Sequence, residues 1–371
     1  MSPSPDSHEE SRSETLAAQL WEIMPVRHLK SPALLSELSS RWCERQRAWH
    51  GPEHLWSLVS EIARRSPSED RDILLLAALY HDAVYFPKAT DNEEASARLL
   101  LSHAANPQSS LIAKAAKIIV ASKWTDLPVS SLEQAFFELD TFQLSDGCPL
   151  GERLAYERAI FREYQRAPWA IYQKQRRDFL ESWAERFPWH RKGASECMEL
   201  LASLSPRLAV YPGSFHPFHL GHLSILRQAE QTFDKVIVAI GVNRQKNASA
   251  ESIGRRLAEV QSQLPFHEVA AFGGLLSTFL DEADFPATVI RGVRDGTDLE
   301  AELRYTRFLS ELRPGTCAVW IGCEPEYQHL SSSGIRELES IEPGAGKRYV
   351  PNVESIYDLA HAPTNLGRAL A

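Results

Sequence analysis

The sequence predicts two domains of different class, an all-α domain followed by an α/β domain built on a doubly wound parallel sheet. From about residue 15 to residue 201, glycine is scarce and apolar residues recur at spacings of three and four, which is typical of helices. From Arg207 onward, short strand-like runs alternate with helical stretches, as they do in parallel α/β sheets. The 371 residues are enough for two hydrophobic cores.

Composition and charge indicate an ordinary folded protein. The chain is 43% hydrophobic and 24% charged, and its net charge of −9 without a long basic run argues against nucleic acid or an anionic membrane surface as a partner. Five scattered cysteines without a CxxC pair, and no apolar segment long enough to cross a bilayer, predict a reduced cytoplasmic protein with no membrane association. Residues 1–14 lack an apolar core and predict a disordered tail rather than a signal peptide.

The element boundaries follow from these periodicities. We expect the helical domain over residues 15–203, the α/β domain over 207–360 and a C-terminal tail over 361–371, with a buried helix segment at 74–79. The predicted strands are 208–211, 236–240, 268–272, 288–290 and 318–321, with helices at 275–282 and 299–312 among those that connect them.

The stretch YPGSFHPFHLGH, residues 211–222, joins the first predicted strand to a helix. Gly213 lets the backbone approach a ligand closely. Gly221 opens the helix, whose free N–H groups and positive dipole end favour phosphate. His219 and His222 are three residues apart at that helix start, so both can face the same phosphates.

This stretch resembles the HxGH motif of the nucleotidyltransferase superfamily, and most closely that of bacterial phosphopantetheine adenylyltransferases. The resemblance implies a Rossmann-like nucleotidyltransferase domain that transfers adenylate from ATP, accompanied by Mg²⁺, to 4′-phosphopantetheine, giving dephospho-coenzyme A and pyrophosphate. It implies that His222, with His219, stabilises the pentavalent phosphorus, and that Ser214 and Phe215 belong to the substrate-binding residues.

Further motifs of the same family follow in order. Lys246, after the second predicted strand, would reach a phosphate. The loop after the third strand, residues 272–276, resembles the family's loop there, and its backbone, including that of Leu276, would line the pantetheine arm. The motif Arg291-Gly292-Val293-Arg294 ends the fourth strand, where doubly wound sheets bind ligands.

The resemblance assigns Arg291 to phosphopantetheine, Arg294 to ATP and Glu302 to the vicinity of the nucleotide. It also counts Gly292 among the residues that bind the substrate or ATP. At the start of the last helix, serine hydroxyls and free N–H groups together form a triphosphate cradle. Its members are Ser331, Ser332, Ser333 and Arg336.

The helical half carries a second pattern, a His, an adjacent His-Asp pair and a distant Asp. It resembles the ligand set of the HD superfamily, closest to a branch of predicted metal-dependent phosphohydrolases. The resemblance assigns a divalent metal to His54, His81, Asp82 and Asp140, with His50 and Glu94 nearby for outer contacts or substrate. Imidazoles and carboxylates suit Mn, Fe, Zn or Mg, and such an ion lowers the pKa of bound water and holds phosphate oxygens.

Each half departs from its family at one place. His216 stands where the adenylyltransferases usually carry Asp or Asn, which leaves open a changed acceptor or a weakened enzyme. Residues 122–124, Ser-Lys-Trp, lack the histidine that the HD branch usually has there, which leaves open the loss of a second metal or of a catalytic histidine.

These patterns lead to three hypotheses. The first is a two-domain enzyme whose partners are ATP and phosphopantetheine, with a fused metal-dependent phosphohydrolase domain. The second places the function in the HD half, acting on a nucleotide or another phosphate ester, with the other half as a ligand sensor or as an enzyme for another acceptor. The third is a non-catalytic scaffold. The family's usual oligomers imply a homo-oligomer, although the fused half leaves this open.

Overall fold

The structure is a computed structural model that describes residues 5–66, 68–87, 89–242, 250–282 and 288–352. The described residues form two compact units. The helical unit contains the residues up to Glu163 and Ala170–Leu204, and the α/β unit contains Tyr164–Trp169 and the residues from Ser205 onward. Across the described ranges, no helix combines the length and the apolar character needed to span a bilayer.

The helical unit confirms the predicted all-α first half. Short 3₁₀ turns occur at Val26–His28, Phe142–Leu144 and Pro188–His190. The α-helices are α1 (Pro5–Trp21), α2 (Leu34–Trp42), α3 (Pro52–Arg65), α4 (Ser68–Tyr80), α5 (Asn92–His103), α6 (Ser110–Ala121), α7 (Ser131–Asp140), α8 (Leu150–Glu163), α9 (Trp169–Arg186) and α10 (Arg191–Ser203).

Helix α4 is the central element of the helical unit. Its residues 74–79 are buried on every side, and the helix packs against α3, α5, α6 and α7. A helix that is apolar all round is stable only when other elements surround it. His81 and Asp82, which directly follow its C-terminus, therefore lie in the interior of the unit.

The segment over residues 1–14, for which the sequence predicts a disordered tail, is helical in its described part, because α1 begins at Pro5. Leu16 and Leu20 are buried, α1 packs against α2, and Ser13 Oγ lies 3.0 Å from Ser40 Oγ. The packed turn around Leu16 and Leu20 nucleates the helix. The polar N-terminal turns then extend it, because adding a turn to an existing helix costs less free energy than nucleating a new one.

The α/β unit confirms the predicted doubly wound parallel sheet. Its strands are β1 (Leu208–Gly213), β2 (Lys235–Val242), β3 (Val269–Gly273), β4 (Thr288–Val293) and β5 (Cys317–Gly322), in the spatial order β3-β2-β1-β4-β5. Its helices are α11 (Leu220–Glu230), α12 (Ala250–Gln263), α13 (Leu276–Glu282), α14 (Gly296–Leu312) and α15 (Ser332–Ile341), with 3₁₀ turns at Pro325–Tyr327 and Lys347–Tyr349.

Alternate residues of β1 face two different cores, as the period of two of a strand requires. Ala209 and Tyr211 pack in a core with residues of α11 and α12, whereas Val210 packs with residues of α13 and α14. Strand β1 pairs in parallel with both β2 and β4. Successive strands are added on one side of β1 as far as β3 and on the other side from β4, so the strand order reverses between β1 and β4. This switch point opens a crevice at the carboxyl ends of those two strands, where such sheets bind ligands.

Candidate functional site

A cavity of about 380 Å³ lies at the carboxyl ends of β1 and β4. It brings together residues from every predicted adenylyltransferase motif whose placement the structure describes, apart from the loop after β3. These residues are Ser214, Phe215, His219, His222, Arg291, Gly292, Arg294, Glu302, Ser331, Ser332, Ser333 and Arg336.

Two predicted residues are not among those that line the cavity. Leu276 is the first residue of α13, is only 2% exposed, and packs with Val210 and Leu280 in the core on the other side of β1. Burial there keeps its apolar side chain out of water. The predicted contact of its backbone with the pantetheine arm stays a prediction. Lys246 lies outside the described residues.

His219 and His222 form a stacked pair at the start of α11. His219 is the N-cap residue, and its backbone N–H donates to Nδ1 of His222 at 3.2 Å. The ring centroids are 3.6 Å apart. Because Nδ1 of His222 accepts a hydrogen bond, the proton of the neutral ring is assigned to Nε2, which is the nitrogen left to donate to a ligand.

Burial and a nearby arginine keep this pair uncharged at neutral pH. Burial, with a further contribution from Arg294, lowers the pKa of His219 to about 4. Burial, His219 and Arg294 together hold the pKa of His222 well below its ordinary value. The histidines therefore act as hydrogen-bond donors, and the positive charge of the cavity comes from its arginines.

The turn between β1 and α11 is fixed by Phe215. Its φ is 43°, in the left-handed region, and its ring is buried beside Tyr211 and Phe218. A Cβ added at Gly213 would lie 2.6 Å from the Phe215 ring, so only glycine allows this close packing. The buried ring thus holds Ser214 and His216 on the exposed side of the turn.

Two arginines are held by carboxylates of the helix that follows β4. Arg291 Nη2 lies 2.7 Å from Glu302 Oε1, and Arg294 Nε lies 2.7 Å from Asp298 Oδ2. These paired contacts fix planar guanidinium groups at the rim of the cavity, an arrangement suited to phosphate. Glu302 therefore contacts Arg291 directly.

The start of α15 is joined to the β1–α11 turn. Ser331 Oγ accepts from the N–H of Gly334 at 3.0 Å, and Ser332 Oγ donates to the carbonyl oxygen of Pro217 at 2.9 Å. The guanidinium of Arg336 donates to the carbonyl oxygen of His216. The N-termini of α11 and α15 thus line one cavity, and both favour an anion.

His216 contributes its backbone to this arrangement. Burial, Arg256 and Arg336 lower the pKa of its imidazole, so the side chain is neutral at neutral pH rather than cationic. Its carbonyl oxygen holds Arg336, a contact that does not depend on the side chain.

Some lining residues were not identified from the sequence. Cys323, Tyr327 and Leu330 line the cavity and follow the carboxyl end of β5. The rule that located Arg291 and Arg294 applies to this strand as well, so their position directly after the last strand is the signal that could have found them.

The helical unit contains a candidate metal centre. Ligand atoms of His54, His81 and Asp82 lie within 4.8 Å of one another, and Asp140 Oδ1 is 3.4 Å from Nε2 of both His54 and His81. His54 lies in the first turn of α3, His81 and Asp82 follow α4, and Asp140 ends α7. The structure therefore brings together the four predicted ligands.

The chemistry of these atoms fits a divalent cation. Nε2 of His54 and Nε2 of His81 are buried and face carboxylate oxygens without a well-aligned hydrogen bond: Asp82 Oδ2 lies 3.1 Å from His81, and Asp140 Oδ1 lies 3.4 Å from both rings. Nδ1 of His81 lies 2.9 Å from the carbonyl oxygen of Ala78, which places the ring proton on Nδ1 and leaves the Nε2 lone pair for a metal. Burial opposes the charge, yet Asp82 and Asp140 hold the pKa of His81 well above its ordinary value, and the imidazolium in turn keeps the pKa of both carboxylates below their ordinary range. Both carboxylates are therefore anionic, and a divalent cation would take the place of the proton on Nε2 of His81.

His50 and Glu94 have different surroundings. His50 Nδ1 lies 2.7 Å from Oε2 of the buried Glu163, whose Oε1 also accepts the backbone N–H groups of residues 48–50. Glu94 pairs with Lys123 at 3.2 Å. Glu163 was missed in the sequence because it lies 113 residues from His50, and no local spacing indicates the contact.

The segment that departs from the HD pattern also reaches this centre. Trp124 lies 4% exposed, and its Nε1 donates to Asp140 Oδ2 at 2.7 Å. An indole therefore contacts one of the four predicted ligands.

Comparison with known proteins places the second half of the chain in a family. Residues 210–338 match the cytidylyltransferase-like family. The phosphopantetheine adenylyltransferase of Clostridium tetani is 36% identical over 160 residues, which cover 43% of this chain and 98% of that protein. The corresponding enzyme of Bdellovibrio bacteriovorus is 32% identical over 40% of this chain and 92% of its own length. That of an Acidovorax species is 33% identical over 44% of this chain and 97% of its own length. Because these relatives are matched over nearly their full length at more than 30% identity, the chain belongs, through its nucleotidyltransferase half, to the phosphopantetheine adenylyltransferase family.

Proposed function

We propose that the α/β unit transfers the adenylyl group of ATP to 4′-phosphopantetheine, giving dephospho-coenzyme A and pyrophosphate. The observation that carries this proposal is the convergence, on one cavity, of the neutral His219–His222 pair, two helix N-termini and three arginines. The relatives named above, which are phosphopantetheine adenylyltransferases, supply the acceptor.

The reaction requires no covalent intermediate with the protein. A phosphate oxygen of the acceptor attacks the α-phosphorus of ATP, the bond from that phosphorus to the bridging oxygen breaks, and pyrophosphate leaves with the bonding electrons. Catalysis then depends on alignment and on stabilising the charge that accumulates on the pentavalent phosphorus. His222 donates a hydrogen bond to that centre, and His219 fixes the orientation of its ring. Mg²⁺ bound with ATP offsets the charge of the triphosphate.

The remaining residues divide between the two substrates. Arg294, Arg336 and the serines at the start of α15 hold the triphosphate, and Lys246 contributes a further positive charge to it. Ser214, Phe215, Arg291 and Gly292 form the acceptor side, where Glu302 keeps Arg291 in place. His216 is compatible with this scheme because its carbonyl oxygen, which any residue would supply, positions Arg336.

The test is incubation of the full chain with ATP, Mg²⁺ and 4′-phosphopantetheine, followed by mass spectrometry for dephospho-coenzyme A and pyrophosphate. We expect His222→Ala to lower kcat by about 10²–10³-fold, as loss of a transition-state donor does. His329→Ala, which changes an exposed histidine of the same unit, is the matched control. Turnover that is equal in both variants would contradict the mechanism. ATP binding without product would favour the alternative of a sensor or of another acceptor.

For the helical unit we infer a second candidate activity, metal-dependent hydrolysis of a nucleotide or of another phosphate ester. The four converging ligands favour it, since two buried imidazole nitrogens face two carboxylates. His54, His81, Asp82 and Asp140 would hold Mn, Fe, Zn or Mg. Such an ion supplies an activated water and a contact to a phosphate oxygen.

This activity is tested by metal analysis of the purified protein and a screen of phosphate esters. We expect Asp82→Ala to lose both the bound metal and any hydrolysis. Asp178→Ala, which removes an exposed carboxylate of α9, should retain both. Hydrolysis that survives in Asp82→Ala would refute the assignment.

A further inference from the structure

Glu163, the last residue of α8, is a buried carboxylate with donors at both of its oxygens. Oε1 accepts the backbone N–H groups of residues 48–50 at 2.7–2.8 Å. Oε2 lies 2.7 Å from His50 Nδ1 and accepts from the hydroxyl of Tyr85 at 2.7 Å. Burial opposes ionisation, but His50 and Tyr85 keep the pKa of Glu163 below its ordinary value, so this carboxylate is anionic.

These contacts fix the ring of His50. Because an anionic carboxylate only accepts, Nδ1 of His50 carries a proton, and Nε2 is the nitrogen left for another partner. The ring lies against that of Tyr85, with centroids 4.3 Å apart and planes inclined by 32°. Nη1 of Arg47 donates to the carbonyl oxygens of both His50 and Asp82, at 3.1 and 2.6 Å. The side chain and the backbone of His50 are thus held in a fixed position relative to a predicted metal ligand.

His50 lies beside the predicted ligands and is more accessible than the two histidines among them. Its side chain is 23% exposed, against 4% for His54 and 2% for His81. Its ring meets that of His54 edge-on, with centroids 6.1 Å apart, but it does not belong to the cluster of ligand atoms formed by His54, His81 and Asp82. Among the residues that the structure describes, Nε2 of His50 has no hydrogen-bond partner. This nitrogen is therefore placed for a molecule that the ion binds rather than for the ion itself.

We propose that His50 is a catalytic residue of the helical unit, which hydrogen-bonds through Nε2 an oxygen of a phosphate ester bound at the metal, and that Glu163 is the positioning residue that orients it. The inference rests on the hydrolytic function proposed above for this unit. Glu163 balances the charge of an imidazolium, whose Nε2–H donates to an anion such as phosphate. A donor whose orientation is fixed beforehand stabilises the charge on a reacting phosphoryl group without reorganising.

The probe is inorganic phosphate, and its binding is followed by the phosphorus-31 relaxation that bound Mn²⁺ causes. The full chain is kept in excess over Mn²⁺, so that free ion does not contribute. Only phosphate close to a bound ion is relaxed in this way, and phosphate in the cavity of the α/β unit is therefore not counted.

Two substitutions of His50 separate its two nitrogens. His50→Asn keeps a nitrogen donor at the position of Nδ1 and removes Nε2. We expect it to raise the Kd for phosphate by about 10–100-fold, as loss of a hydrogen bond to a charged group does, and to leave the Kd for Mn²⁺ unchanged. His50→Gln, whose amide nitrogen can reach the position of Nε2, should bind phosphate more tightly than His50→Asn.

Glu163→Gln tests the positioning role. Because Nδ1 of His50 loses its anionic partner, we expect the Kd for phosphate to rise by about tenfold. The double variant with His50→Asn should bind phosphate no more weakly than His50→Asn alone, since Glu163 acts through the ring of His50. The effects of a merely structural change would add instead.

His28→Asn and Glu157→Gln are the matched controls. The side chain of His28 is 24% exposed and lies 2.8 Å from Oδ2 of Asp72, so it too is a half-buried histidine paired with a carboxylate. Glu157 is a fully buried carboxylate of α8, as Glu163 is, but it pairs with Arg176. Both variants should leave the Kd values for phosphate and Mn²⁺ unchanged, and circular dichroism verifies that every variant is folded.

An unchanged Kd for phosphate in a folded His50→Asn variant, or additive effects in the double variant, would overturn the inference and leave the metal site intact. A Kd for Mn²⁺ raised by about tenfold or more in His50→Asn would identify His50 as a metal ligand and would overturn it as well. If the unaltered chain relaxes phosphate no more than Asp82→Ala does, the proposed hydrolysis and the inference fail together.

Discussion

His219 and His222 show how single residues acquire their chemistry from their surroundings. An exposed histidine titrates near pH 6.5. Burial and Arg294 lower both pKa values here, and no carboxylate contributes an opposing shift. The pair can therefore approach phosphates as neutral donors in a cavity whose charge is carried by arginine.

This shift predicts a dependence of stability on pH. Between about pH 6.5 and pH 4 the unfolded chain binds more protons at His219 than the folded chain does, so the free energy of unfolding falls as the pH falls through that range. We expect His219→Asn to reduce the loss between pH 7 and pH 5 by about 1–2 kcal/mol. Hydrogen-exchange mass spectrometry in denaturant, on peptides from β1 and β2, reports this for the α/β unit. An equal loss in both proteins would show that the ring titrates normally in the folded state.

At the scale of elements, α10 packs closely against the rest of the helical unit at Gly193. A Cβ on Gly193 would lie 2.2 Å from the carbonyl oxygen of Leu144 and 2.4 Å from Nη1 of Arg153. Arg153 is fully buried and donates to the carbonyl oxygens of Gln143, Ser145 and Cys148. The close approach of α10 thus depends on the missing side chain.

We accordingly expect Gly193→Ala to destabilise the helical unit by about 3 kcal/mol, because neither the carbonyl nor the bonded guanidinium can move freely. Gly151→Ala is the control, since that position in α8 has nothing within 4 Å of the added Cβ. It should be neutral or stabilising by up to about 1 kcal/mol. Denaturant unfolding followed by circular dichroism compares them, and equal stabilities would contradict the predicted clash.

At the scale of the whole molecule, the two candidate sites belong to different compact units. A ligand that binds only the folded state stabilises the unit that binds it, by about 2.7 kcal/mol when its concentration is a hundred times its Kd.

We therefore expect Mn²⁺ to slow hydrogen exchange in α4, and ATP with Mg²⁺ to slow it in β1. Removal of metal by a chelator should reverse the first effect. Asp82→Ala should abolish the protection by Mn²⁺ and retain that by ATP. Protection of α4 by Mn²⁺ in Asp82→Ala would show that the ion binds elsewhere.

Much of this molecule was predictable because the signals are local. The five strands, the change of period after residue 201 and the HxGH turn all depend on residues within one or two turns or strands of each other. The helix at residues 5–14 was not predictable, because its stability comes from packing of Leu16 and Leu20 rather than from its own composition. The sequence predicts that the backbone of the loop containing Leu276 lines the pantetheine arm, but only the structure shows that the Leu276 side chain packs in a core.

The sequence by itself determined the two fold classes, the order of the motifs and the chemical types of the site residues, since periodicity and motif spacing are written along the chain. Only the tertiary structure decided which distant groups meet: Glu163 with His50, Trp124 with Asp140, and Arg336 with the carbonyl oxygen of His216. Such contacts depend on how whole elements pack. The partner of a backbone carbonyl or of a remote buried carboxylate cannot be inferred from the sequence, because neither group produces a periodic pattern in it.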